Sequence, residues 1–323
     1  MTSNADFFLR AVLDCIREAD RHGPVSDKGS DVLGDLSGRK TVGVLQRLVG
    51  LFAGDTDACY LEVGVFQGLT LLSVAVNFPD MACFGIDDFS ILDPEGKNLG
   101  IVTEKTEKLA VRNVHVVNLD FEKALESLET HIGRRRIGVY YVDGAHDYRS
   151  QLMGLMLALP YLHERAVIVV DDANYRFVRQ ANRDFLFTHP EHKLVFDSYS
   201  PAHPANVDPA TLARWETGWL NGVNILVRDP EGLLPAMYPP THDDRTLYVN
   251  DWLVHRLGLA ELAPEAVHLA QAICSGDAAG ETTRRRQLID RFKAMETVFE
   301  GRFPDRNTYS EDLPEARFNA LSP

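Results

Sequence analysis

Between residues 58 and 170 the chain switches repeatedly between two apolar patterns. Residues 58–63, 81–86, 114–118, 137–142 and 166–170 are apolar at nearly every position instead of every second one. Runs of that kind and length are strands covered on both faces. The stretches between them, 68–77, 98–111, 121–132 and 148–162, space their apolar residues as helices do. Strand and helix in strict alternation predict βαβ units and a parallel sheet. Ahead of this region, Phe7, Phe8, Ala11, Val12, Cys15 and Ile16 recur at helical spacing within 4–22, and Val42, Val44, Leu45, Leu48 and Leu51 do so within 40–53. The Gly- and Asp-containing stretch 23–38 between them reads as a loop. Beyond it, 193–199 and 222–228 are apolar runs joined across a Pro/Asn/Asp-rich loop at 200–210, a pattern that suits an antiparallel hairpin at one sheet edge.

After Asp229-Pro230-Glu231-Gly232 the pattern changes again. Pro235, Pro239 and Pro240 mark a linker, 245–300 reads as helices, and 301–323 reads as a polar, loosely ordered end. Three parts are therefore expected: an N-terminal helical segment (1–57), an α/β domain (58–229) and a C-terminal helical appendage (230–323). An amphipathic appendage must bury its apolar face, so it is expected to cover a site or to build a homo-oligomer interface.

Charge narrows the partners. A net charge of -14 over 323 residues disfavours nucleic acid and anionic membranes, which select basic faces. The runs Arg134-Arg135-Arg136 and Arg284-Arg285-Arg286 are short enough to be solvated surface. Cys15, Cys59, Cys83 and Cys274 lack C-x-x-C spacing, which argues against disulfides and thiolate metal sites. No signal peptide is evident, and no apolar run reaches the roughly 18 residues of a membrane span. The expectation is a cytoplasmic protein.

Chemistry concentrates where strands end, because open α/β sheets bind ligands beyond the carboxyl ends of their strands. The first run ends in Glu62-Val63-Gly64-Val65-Phe66-Gln67-Gly68. Gly64 and Gly68 allow a tight nucleotide-type turn. A dinucleotide fingerprint needs glycine where Phe66 stands, and bulk there hinders a pyrophosphate. S-adenosylmethionine carries no phosphate and tolerates it. Asp87 ends the second run, near the spacing of a ribose-binding acid. Asp120 follows the third run, either to accept from an adenine amino group or to cap the helix beginning at Phe121.

Asp143 ends the fourth run, and Asp171 and Asp172 end the fifth. Neighbouring strands lie ~4.8 Å apart, so these ends can place three carboxylates around one point, where they repel unless a cation joins them; the alternative is that one caps a helix and the others pair with Arg176, Arg179 or water. Oxygen ligands without cysteine favour Mg²⁺ or Mn²⁺. His146, three residues past Asp143, is a candidate general base beside such a cation or a surface residue.

These three motifs, the strand-Glu-x-Gly corner, Asp143-Gly144-Ala145-His146-Asp147-Tyr148 and Val169-Val170-Asp171-Asp172, resemble class I S-adenosylmethionine-dependent methyltransferases. More narrowly, they resemble the metal-dependent sugar O-methyltransferases of natural-product pathways, the macrocin and mycinamicin type. The resemblance covers roughly residues 40–230. It implies a Rossmann-like seven-stranded, mostly parallel sheet with an antiparallel last strand. It also implies S-adenosylmethionine held at Glu62, Gly64, Gly68, Asp87 and Asp120, Mg²⁺ on Asp143, Asp171 and Asp172, and His146 or Asp143 taking a hydroxyl proton from a small-molecule acceptor. N-methyl transfer, or an inactive binding subunit on the same fold, are the alternatives. The helices after residue 229 have no counterpart in that family.

Overall fold

A computed structural model of the chain describes residues 4–34, 37–204, 207–241, 251–302 and 313–321. Parts of three expectations, at 205–206, 245–250 and 303–312, lie outside the described residues. Two N-terminal helices, α1 (Asn4–His22) and α2 (Arg39–Gly50), lead into β1 (Ala58–Val63), α3 (Leu69–Asn77), β2 (Ala82–Ile86), α4 (Asn98–Lys108), β3 (Val114–Val117), α5 (Phe121–Glu126), α6 (Glu129–Ile132) and β4 (Arg136–Val142). Then come α7 (Tyr148–Ala158), β5 (Leu162–Asp171), α8 (Arg176–Thr188), β6 (His192–Ser198), α9 (Pro209–Glu216) and β7 (Val223–Arg228). Three helices, α10 (Asp251–Ala260), α11 (Ala263–Ser275) and α12 (Ala278–Arg302), precede a short β8 (Ala316–Phe318).

The strands form one sheet in the order β3-β2-β1-β4-β5-β7-β6-β8. β1 to β5 run parallel, and β7 runs antiparallel between β5 and β6. The fold is the Rossmann-like, mostly parallel α/β sheet that the alternating pattern and the family resemblance predict. The late hairpin exists, but β7 lies inside the sheet and not at its edge. The edge belongs to β8, an eighth strand paired antiparallel with β6, in the stretch expected to be loose.

Strands covered on both faces need two cores. Alternate side chains of β1, β4 and β5 (Tyr60, Val139, Tyr141, Val167, Val169) pack with α1, α2 and α3. Their neighbours (Leu61, Tyr140, Val142, Ile168, Val170) pack with α5, α7 and α8. Helix α8 was not predicted. Its Arg176, Arg179, Asn182 and Arg183 mask the apolar stripe, although Arg179 and Asn182 are themselves fully buried. Among the described residues, no helix is long and apolar enough to cross a membrane.

Candidate active site

Period-two geometry decides which end-of-strand acids meet. Glu62, Asp143 and Asp171 lie two residues after Tyr60, Tyr141 and Val169, so they share the sheet face that packs on α1 to α3. Register aligns them, with Glu62 opposite Tyr141 and Val142 opposite Val170.

At the β1 end the backbone claims most of the polar capacity. Gly64 and Gly68 both hold positive φ, 91° and 82°. A Cβ on Gly64 would stand 1.9 Å from the Asp143 carbonyl oxygen, so this glycine lets the β1 and β4 ends press together. Phe66 is also left-handed, at φ 49°, a strained state for a bulky residue. Asp87 holds it there. One Asp87 oxygen accepts from the N–H groups of Val65 (2.8 Å) and Phe66 (2.9 Å), the other from Phe89 (2.7 Å). Asp87 thus staples the glycine corner from β2. Asp120 accepts from the Lys123 N–H and caps α5, so one of its oxygens does what the capping alternative requires.

Glu62 differs. Its side chain is fully buried, and one oxygen accepts from the Tyr60 hydroxyl at 2.6 Å. The other, Oε1, has no partner. Burial pushes its carboxyl up to about 8, with the nearby Tyr60 and Thr70 hydroxyls acting the other way. A buried acceptor left open is costly and points to a donor supplied by a ligand.

At the β4–β5 end the carboxylates face one another. His146 Nε2 lies 2.9 Å from Asp172 and 3.8 Å from Asp143. One ligand atom from each of Asp143, His146 and Asp172 falls within 4.8 Å of the others, so the three can share one ion. Asp171 lies outside that cluster. Its carboxylate accepts from the Tyr141 hydroxyl and from Ser37 Oγ at 3.3 Å, and the Tyr141 oxygen is also 3.2 Å from Asp143.

The charges explain the titration. Burial raises Asp143 to about 6, against the opposing pull of nearby His146. Burial raises Asp171 well above the usual carboxylate range, and the charges of Asp143 and Asp172 add to it. For Asp172 burial acts upward too, but the charge of His146 and the hydrogen bonds from His146 and Asn221 hold it below. Burial would lower His146, yet Asp172 and Asp143 lift its imidazole to about 10. The two carboxylates thus favour the charged form of the ring that lies between them.

The surrounding loops are fixed by the inserted β7. Its register sets Val223 opposite Asp171, which brings Asn221 onto Asp172 as a hydrogen-bond donor. Asp172 itself is left-handed, at φ 53°. His146 stacks on Tyr175 (centroids 4.9 Å apart, 11° between planes), and the Tyr175 hydroxyl meets His203 Nε2 at 2.7 Å. Of the other aromatics after the sheet, Tyr199 is buried on Asp197 and Asn224, and Trp219 is buried on Phe196 and Asp20. Sequence reasoning missed Tyr141, Ser37, Asn221 and His203. Only Tyr141 carried a signal, because it precedes Asp143 by two residues in a strand.

Residues 61–173, from the middle of β1 to just beyond β5, match a protein family described as a methyltransferase domain. An uncharacterised protein of Acanthamoeba polyphaga mimivirus is 27% identical over 138 residues, 42% of this chain and 61% of that protein. The chain thus spans about three fifths of that relative's length. Among solved structures, an O-methyltransferase from Bacillus cereus in complex with SAH is 13% identical, at a TM-score of 0.46 over 69% of this chain and 100% of that one. The O-methyltransferase TomG from Streptomyces achromogenes, in complex with SAM, is 16% identical, at 0.43 over 68% and 89%.

Proposed function

We propose that this methyltransferase domain makes the chain an S-adenosylmethionine-dependent O-methyltransferase, acting with a divalent cation on a hydroxyl of a small molecule, a sugar or natural-product intermediate. The observation that carries this reading is the pairing of Asp143 and Asp172 across His146, with the open Glu62 oxygen on the same sheet face at the neighbouring strand end.

The two ends divide the work. Glu62 Oε1 suits a cationic N–H donor such as the ammonium of the cofactor's amino-acid end. The turn from Gly64 to Gly68, held by Asp87, shapes the floor on which the cofactor is oriented. Transfer breaks the sulfonium C–S bond as the acceptor oxygen attacks, and one hydroxyl proton must leave. Alignment of donor and acceptor supplies much of the rate. Asp143 and Asp172 would hold Mg²⁺ or Mn²⁺, which lowers the pKa of an acceptor hydroxyl when bound. His146, beside Asp172, would accept the hydroxyl proton as general base. Tyr175 fixes the ring by stacking, and Asp171 with Tyr141 backs Asp143.

The test is methyl transfer from labelled S-adenosylmethionine to a panel of hydroxylated sugars and natural-product intermediates. Activity should vanish in excess chelator and return with Mg²⁺ or Mn²⁺. Full transfer in chelator would reject the cation role and favour N-methyl transfer, which needs no metal-bound hydroxyl.

A further inference from the structure

Helices α10, α11 and α12 pack on one another yet keep large apolar side chains in solvent. Leu257 is 60% exposed, Val267 55%, Ile289 44% and Phe292 45%. A groove of about 420 Å³ runs between them, lined by Leu259, Leu262, Ala266, Leu288, Ile289 and Phe292. An apolar surface of this kind marks an interaction site.

The sequence of α12 says what covers it. Arg285, Ile289, Phe292 and Glu296 follow one another at spacings of four, three and four residues, which places them on a single helical stripe. The stripe reads basic, apolar, apolar, acidic. Laid antiparallel on itself about the point midway between Ile289 and Phe292, it sets Ile289 against Phe292 of a second copy and Arg285 against Glu296, twice over. That is the self-complementarity a two-fold interface requires. The flanking groups extend the match: Arg285 already binds Glu281, and Glu296 binds His255 of α10 at 2.8 Å. The cross-pair therefore completes an alternating row of acid, base, acid and base. Charge also permits the approach. Residues 251–302 hold seven Lys or Arg and eight Asp or Glu, so the segment is nearly neutral in a chain of net charge -14.

We propose that the C-terminal helices form a two-fold homodimer through antiparallel contact of α12 with α12 of a second copy, Ile289 and Phe292 at its centre and Arg285–Glu296 pairs on either side. The proposal is independent of the methyl-transfer reading.

Sedimentation equilibrium of the full chain tests it. The wild type should be a dimer at micromolar concentration. Ile289→Asp should shift it to monomer while circular dichroism keeps its helix content. Arg285→Glu and Glu296→Arg should each weaken dimerisation at least tenfold, and the double exchange should restore it. Arg285 and Glu296 stand eleven residues apart on one helix, about 16 Å at 1.5 Å per residue, so they cannot meet within a chain and the rescue can arise only between copies. A monomeric wild type overturns the proposal, as does a dimer unaffected by Ile289→Asp, or a double exchange that stays as weak as the single ones. Capture of some other protein by a monomeric chain would assign the face elsewhere and equally overturn it.

Discussion

The β1–β2 end and the β4–β5 end of the sheet carry acids at equivalent places and use them oppositely. At the first, Asp87 spends both oxygens and nearby Asp120 one of its two on main-chain N–H groups, and Glu62 keeps a buried oxygen without a partner. At the second, Asp143 and Asp172 flank His146, and Asp171 joins Asp143 through the Tyr141 hydroxyl. Acids bonded to backbone build shape. Acids left facing each other build an electrostatic demand, which an added cation meets. The same residue type thus makes a rigid backbone corner on one side and a charged side-chain cluster on the other.

The largest effect should come from breaking the second end. Asp172→Ala is expected to reduce turnover to background while calorimetry finds S-adenosylmethionine affinity nearly unchanged. Loss of cofactor binding in that variant would mean the two ends are not separable. His146→Ala should lower kcat by roughly 10²–10⁴, the range for a general base, and should keep the thermal shift produced by Mn²⁺. If that shift disappears, His146 is a metal ligand and the base lies elsewhere.

Glu62 sharpens the contrast through pH. Its folded-state pKa of about 8 lies above the ordinary value of 4.5, so between these values the folded state holds a proton that the unfolded state has lost. Its contribution to stability is full below about 4.5 and is lost as pH rises through about 8. Glu62→Gln cannot titrate. Urea melts at pH 5 and pH 8 should show wild type losing stability relative to this variant, and parallel curves would refute a protonated Glu62.

Smaller effects belong to the acids that hold backbone. Asp87→Ala leaves three N–H groups unpaired and should cost about 1–3 kcal/mol of stability. Asp120→Ala removes one helix cap and should cost ~1 kcal/mol. Chemical denaturation of both variants checks the order. A reversal would show that Asp87 is spent on ligand more than on the corner.

The two ends were unequally legible in sequence. The apolar runs located β1 to β5 to within a few residues, although only β1, β2, β4 and β5 are covered on both faces and the edge strand β3 leaves His115 exposed. They also set Glu62, Asp87, Asp143, Asp171 and Asp172 at strand ends. Helix α8 escaped because its buried Arg179 and Asn182 are satisfied by distant partners, the Pro240 and Asn174 carbonyls and Asn224, which no local pattern announces. Strand β8 escaped because three residues carry no period, and pairing with β6 alone makes them a strand.

By itself, then, the sequence determined an alternating α/β sheet whose strands end in acids, since burial on both faces and the turn chemistry of glycine are local properties. Which acids meet was decided only by the tertiary structure. Parallel register set Asp143 beside Asp171, and the insertion of β7 delivered Asn221 to Asp172. The loop before α2 brought Ser37 to Asp171, more than a hundred residues away in the chain. Electrostatics depends on separation in space, and separation along the chain does not specify it.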